Sequence, residues 1–255
     1  MRGYRFIPII LLILFPVLVQ GQTYVSGGIG NATWTAAGSP YIVIGNTYAM
    51  DLTIDAGVTV QFDEFCVLEV DFSLIVNGTE SDSVYFTAGD TCWQSIDLTS
   101  GPASISRITY ANFEGAGRCD LGVLNGGDGN LSLRHCTFRN NDAEYVLKYH
   151  GEGFVTESKL MIDNCCFYDN TADYVLYSRY HDYAIIKDSH FFNNTTLKVI
   201  HFDYYSYAQS ACGYLMYGCT LYNNSTVYSG MTFSRGVVAF SVFIIQSPPV
   251  ITFST

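Results

Sequence analysis

The chain has 255 residues, of which 49% are apolar, 15% aromatic and 14% charged, and its formal net charge is −11. A disordered chain would carry more charge and fewer aromatics, and a coiled coil would be rich in Glu, Lys, Leu and Ala, so both are excluded. The length suits one substantial core or two small ones.

In chain order, Arg2 and Arg5 precede the apolar run Phe6 to Val19, and Val19-Gln20-Gly21 closes it on residues that a signal peptidase accepts. The run is shorter than the ~20 residues that span a bilayer. Residues 1–21 are therefore expected to be a signal peptide, and the chain secreted or displayed on the extracellular cell surface without a membrane span. Without Arg2 and Arg5 the chain holds 10 Lys plus Arg against 23 Asp plus Glu, a net charge of −13. No Lys or Arg occurs from Gln22 to Ser106, a stretch that carries Asp51, Asp55, Asp63, Glu64, Glu69, Asp71 and Asp97 among its acids. Nucleic acid and anionic membrane are thus excluded as partners. No cofactor is expected. Calcium is the one alternative, with Asp51, Asp55, Asp63 and Glu64 as oxygen ligands, against a reading in which they form a solvated acidic face.

Residues 22–46, with Trp34 and Pro40, are expected to form an N-terminal cap over exposed strand edges, and residues 47–255 to form a single domain. Leu52/Ile54, Leu74/Val76 and Ile96/Leu98 are alternating apolar pairs at intervals of 22 residues, separated by Val58/Val60/Phe62, Leu68/Val70 and Val84/Phe86. Asp55-Ala56-Gly57 and Asn77-Gly78-Thr79 supply turns. Further along, Tyr110-Ala-Asn-Phe113, His135-Cys-Thr-Phe138, Asn164-Cys-Cys-Phe167, Asp188-Ser-His-Phe191 and Gly218-Cys-Thr-Leu221 repeat one motif, with anchors 25, 29, 24 and 30 residues apart. Asn141, Asn170, Asn194 and Asn224 each follow an anchor by three. A short apolar strand plus a polar turn cannot bury itself alone. Stacked copies can, by pairing each strand in parallel with its equivalents and forming inward ladders of Phe138, Phe167, Phe191 and Leu221. The turn Asn is expected in a left-handed or bridge conformation, donating its amide to the next copy. No helical period is present outside the signal.

The stretch Ser39 to Asn46 with Leu52 to Phe62, Leu74 to Thr79 and Val84 to Thr87 resembles the opening coils of secreted right-handed parallel β-helix proteins of the pectin-lyase-like superfamily. The F-x-x-N units are similar to repeats of chlamydial polymorphic outer-membrane proteins, without the G-G-A-[ILV] unit that alternates with them there. The resemblance implies an all-β right-handed parallel β-helix, here of eight or nine coils. The uncharged segment Gly236 to Thr255 is read as a last coil, a capping strand or a truncated end.

Superfamily enzymes cleave polysaccharide with paired carboxylates or with a Lys/Arg base beside Ca²⁺. Candidate carboxylates are Asp163, Asp169 and Asp173, with Asp182 and Asp188 one coil later. Lys148, His150, Arg179, His181 and Asp182 are the candidate eliminase residues, with His150 and His181 one coil apart. Each set also reads as turn or loop decoration. Tyrosine is concentrated late, 14 of 20 falling between Tyr145 and Tyr228, either as a binding face or as corner packing. Eight cysteines lie in the exported part, Cys136 and Cys165 at equivalent inward positions, where packed thiols compete with a disulfide. In a eukaryotic host Asn31, Asn77, Asn130, Asn193, Asn194, Asn223 and Asn224 are glycosylation acceptors. The expected function is a non-catalytic binding or adhesion module for a glycan or another surface protein. The alternatives are a polysaccharide lyase, hydrolase or epimerase, and a structural repeat segment of a larger surface protein.

Overall fold

The computed structural model describes residues 21–255 apart from 64, 100, 102–103, 118–121, 151–158, 180–182, 204–212, 229–230, 235–236, 246–250 and 255, with side chains described as far as Thr232. The expected signal peptide therefore lies almost wholly outside the described residues. The described chain is an all-β right-handed parallel solenoid. Every strand pairing is parallel, joining each segment to its equivalent one lap earlier and one lap later. Three flat faces run along the axis. The anchor face holds Thr59–Phe62, Val84–Ala88, Ala111–Glu114, Thr137–Arg139, Cys166–Tyr168 and His190–Phe192. The tyrosine face holds Ser95–Leu98, Gly122–Gly126, Asp142–His150, Thr171–Arg179 and Thr195–Asp203. The third face holds Ile105–Thr109, Asn130–Arg134, Lys159–Asp163 and Tyr183–Lys187.

The register confirms the anchor ladder. Phe113, Phe138, Phe167, Phe191 and Leu221 are direct partners, rung on rung. The rings of Phe86, Phe113, Phe138, Phe167 and Phe191 stack at 4.4–4.8 Å within 11° of parallel, so the ~4.8 Å strand spacing is also the ring spacing. The asparagine ladder runs beside it. Asn141 Nδ2 donates to Asn170 Oδ1 at 2.9 Å, Asn170 to Asn194 at 2.9 Å, and Asn194 to Asn224 at 2.8 Å. Each amide also donates to a carbonyl on the preceding rung, Asn170 Nδ2 to Phe138 O at 3.0 Å, for example. The side chains thereby satisfy backbone groups that the turn leaves unpaired inside the core.

Three expectations need correction. The left-handed residue of the turn is the one before the ladder asparagine: Asn140, Asp169, Asn193 and Asn223 have φ of 52–55°. The ladder asparagine itself is buried. Second, Ile96/Leu98 does not continue the column of Leu52/Ile54 and Leu74/Val76. It pairs with Leu68/Val70 on the tyrosine face, and Val76 meets Ile108 instead. Third, the solenoid has about six turns, slightly fewer than the eight or nine coils expected. Of the readings open for the C-terminal segment, its strands fit the last coil. Val237–Ile245 pairs with Gly213–Tyr222, and Ile251–Ser254 with Met231–Ser234. Cys92, Cys136, Cys165, Cys166 and Cys219 are free thiols. Cys136 and Cys165 do occupy one inward column, and the Cys136 amide points at the Cys165 sulfur at 3.4 Å. Burial pushes the Cys165 thiol well above its ordinary range.

Candidate functional site

Three of the candidate eliminase residues share the tyrosine face, where the register orders them. Lys148 lies opposite Tyr177, and Tyr177 opposite His201. His150 lies opposite Arg179, and Arg179 opposite Asp203. His181 and Asp182 fall outside the described residues. Each described cation already has a neighbour. The Lys148 ammonium sits 4.8 Å over the Tyr145 ring. Arg179 Nε pairs with Asp203 Oδ2 at 3.4 Å.

Tyr145, Lys148, Tyr174, Tyr177, Lys198 and His201 are all half-buried on the outer side, because the alternation of each strand breaks at an adjacent buried pair, Val146-Leu147, Val175-Leu176 or Val199-Ile200. Tyr145 and Tyr174 stack at 5.5 Å and 11°. Tyr177 stands edge-on to both, tilted by 54° and 61°. The His201 ring is 5.5 Å from Tyr174 and from Tyr177. Rings stacked along the axis use their faces on one another, so this strip offers hydroxyls, ring edges and cations to a partner rather than open aromatic faces. Lys198 Nζ donates to His201 Nδ1 at 3.4 Å, which requires a neutral imidazole. Burial, with Lys198 beside it, lowers the His201 pKa to about 4, and burial lowers that of Lys198. Burial and the Glu144 carboxylate raise the Tyr145 phenol, and burial raises Tyr174 and Tyr177.

Earlier on the same face, Glu69 and Asp97 are direct partners, followed by Asn125 and then Lys148. Burial and then the Glu69 charge raise the Asp97 carboxyl. The sequence alone does not single out this pair, because its members are 28 residues apart and belong to no F-x-x-N unit.

Of the candidate carboxylates of the later repeats, Asp163 and Asp188 line one corner cleft and the other described ones lie apart. Asp169 and Asp188 are left-handed corner residues, Asp173 is on the tyrosine face, and Asp163 lies between Arg134 and Lys187 at 3.4 and 3.0 Å. The calcium candidates are not brought together either: Asp51 and Asp55 lie on the third face and Asp63 at the end of the anchor face. Glu64 is outside the described residues, among which no group of three His, Cys, Asp or Glu could hold a metal. Of the glycosylation candidates, Asn194 and Asn224 are buried with their amides engaged in the ladder, whereas Asn193 and Asn223 are exposed and bonded to each other at 2.6 Å. Asn77 and Asn130 face outward on the third face.

A second polar site brings two of these carboxylates, Asp163 and Asp188, together with residues that sequence reasoning does not single out. The corner between the third and anchor faces is built from the left-handed residues Tyr110, His135, Asn164, Asp188 and Gly218. A shallow cleft of about 530 Å³ opens there, lined by Arg134, His135, Asp163, Asn164, Lys187, Asp188, His190 and Gly218. Tyr110 stacks on His135 at 4.4 Å, and His135 Nδ1 meets the Asn164 amide at 2.9 Å. Gly218 is required twice over: its φ is 64°, and a Cβ there would lie 2.1 Å from Asp188 Oδ1. The available signal is the pair of residues at each small inward position, His135-Cys136, Asn164-Cys165, Asp188-Ser189 and Gly218-Cys219.

No family model, curated protein or solved structure matches the chain.

Proposed function

We propose that this is an exported, cell-surface or secreted binding module of the pectin-lyase-like β-helix type, without catalysis, whose tyrosine face engages glycan. The observation that carries the reading is the in-register strip of Tyr145, Tyr174, Tyr177, Lys148, Lys198 and His201. Tyr and cationic side chains supply large contact area and directional hydrogen bonds at modest entropic cost. Rung-spaced hydroxyls suit a hydroxyl-rich polymer lying along the axis. The cations that a lyase would need as bases are engaged by Tyr145 and Asp203. A glycan array read with the natural chain and with Tyr174→Ala and Tyr177→Ala tests it. Binding that both variants weaken is the expected result. Binding of surface proteins but of no glycan would move the partner to the protein class.

One observation favours a second reading, polysaccharide hydrolysis. Adjacent carboxylates in register, with Asp97 raised by burial beside Glu69, resemble an acid and its partner. Release of reducing ends from a polysaccharide panel, abolished by Glu69→Gln and by Asp97→Asn, would establish it.

A further inference from the structure

Parallel sheets are usually covered on both faces. On the third face, however, the outward columns of the later rungs are apolar and open to solvent: Met161, Tyr183, Leu215 and Tyr217 are exposed by 37–48%, with Ile185 half-buried between them. Lys159 and Lys187 flank them, in a chain that is otherwise acidic. The earlier rungs of the same face carry Asp51, Asp55 and Ile75 outward and no cation before Arg107. One flat face thus has an acidic half and a basic, apolar half.

We infer that this face pairs with the same face of a second copy, the two solenoids antiparallel and related by a twofold axis along the strands between Ile105–Thr109 and Asn130–Arg134. Such an axis maps each outward column onto itself and reverses rung order. The central column reads Thr33, Thr53, Ile75, Arg107, Ser132, Met161, Ile185, Leu215, so Met161 meets Ile75 of the second copy and Arg107 meets Ser132. The column Asp55, Asn77, Thr109, Arg134, Asp163, Lys187 places Lys187, whose exposed ammonium also pairs with Asp163 of its own chain at 3.0 Å, opposite Asp55. No like charges meet. The parallel alternative sets Arg107 against Arg107 and Asp51 against Asp55, which like-charge repulsion disfavours. The contact is isologous, as closed dimers require. It spans ~35 Å along the axis at the ~4.8 Å rung spacing and covers ~600 Å² per copy, ~1,200 Å² in all, at the lower bound for a specific dimer.

The test is sedimentation of the full chain, made in a host that adds no N-glycans, across concentration and salt. The expected result is a reversible dimer that weakens as salt rises. Lys187→Gln and Asp55→Asn should each raise the dissociation constant about tenfold, since symmetry removes two ion pairs of about 0.7 kcal/mol each at once. The double variant should be no weaker than either single one. Met161→Lys, at an exposed position, should abolish the dimer while circular dichroism stays unchanged. Glycans on Asn77 and Asn130, both on this face, should leave a monomer. A monomer at all concentrations, a dimer indifferent to both charge variants, additive losses in the double variant, or a dimer that persists with both glycans attached would each overturn the proposal.

Discussion

The two ends of the solenoid solve the same stacking problem with different chemistry. In the N-terminal laps, Thr23–Trp34 and Tyr41–Asp55 turn corners through register shifts within a continuous strand, over a largely aliphatic core closed by Trp34 stacked on Tyr41. From Ala111 onward, anchor strands of three or four residues sit between two left-handed corners, over stacked phenylalanines and an asparagine ladder. The early core tolerates variation, because aliphatic columns repack, although the bulges of Thr23–Trp34 depend on Gly27 and Gly30 at positive φ. The late design is exacting: one residue type must stack, one must bridge rungs, and one must adopt positive φ.

Substitutions that probe this contrast should rank accordingly. Phe167→Ala, which interrupts the ring stack between Phe138 and Phe191, is expected to cost ~3–5 kcal/mol in equilibrium unfolding by denaturant, against ~2 kcal/mol for Val60→Ala in the early column. Asn170→Ala should follow at ~3 kcal/mol, because it removes bonds to Asn141, Phe138 and Asn194 and leaves buried backbone groups unpaired. Gly218→Ala should cost ~1–3 kcal/mol from positive φ and the contact with Asp188, whereas Gly28→Ala, which meets nothing within 4 Å, should change stability by less than ~0.5 kcal/mol. The smallest effect is the pH dependence tied to His201. Its folded pKa of about 4 lies below the unfolded value near 6.5, so the unfolded chain takes up the proton first. The stability this group contributes is complete above pH ~6.5 and is lost as pH falls through about 4. Its partial exposure limits the loss to on the order of 1 kcal/mol. His201→Gln should flatten that segment of the stability–pH curve.

The fold is legible because a solenoid imposes a one-dimensional constraint: spacings of 24–30 residues between successive anchors leave few other ways to bury them. The left-handed position is misplaced by one residue because Asn140-Asn141 and Asn193-Asn194 give the same letter to both roles. Asp169-Asn170 separates them. Ile96/Leu98 falls in the wrong column because equal spacing in sequence says nothing about which corner a longer turn has passed. The site is less legible. Sequence finds the candidate cations, but their neighbours depend on register, which sets His150 against Arg179 and Lys148 against Tyr177. The corner cleft escapes notice because its column changes identity on every rung, from Tyr110 through His135, Asn164 and Asp188 to Gly218, so no repeated letter marks it.

The central claim, that successive Phe-to-Asn units lie directly above one another, is tested most directly by ¹⁵N NMR of the asparagine side-chain amides. Asn141, Asn170 and Asn194 should give slowly exchanging amide pairs with nuclear Overhauser contacts from each to the next. Exchange at the solvent rate with no contact between successive asparagines would contradict it.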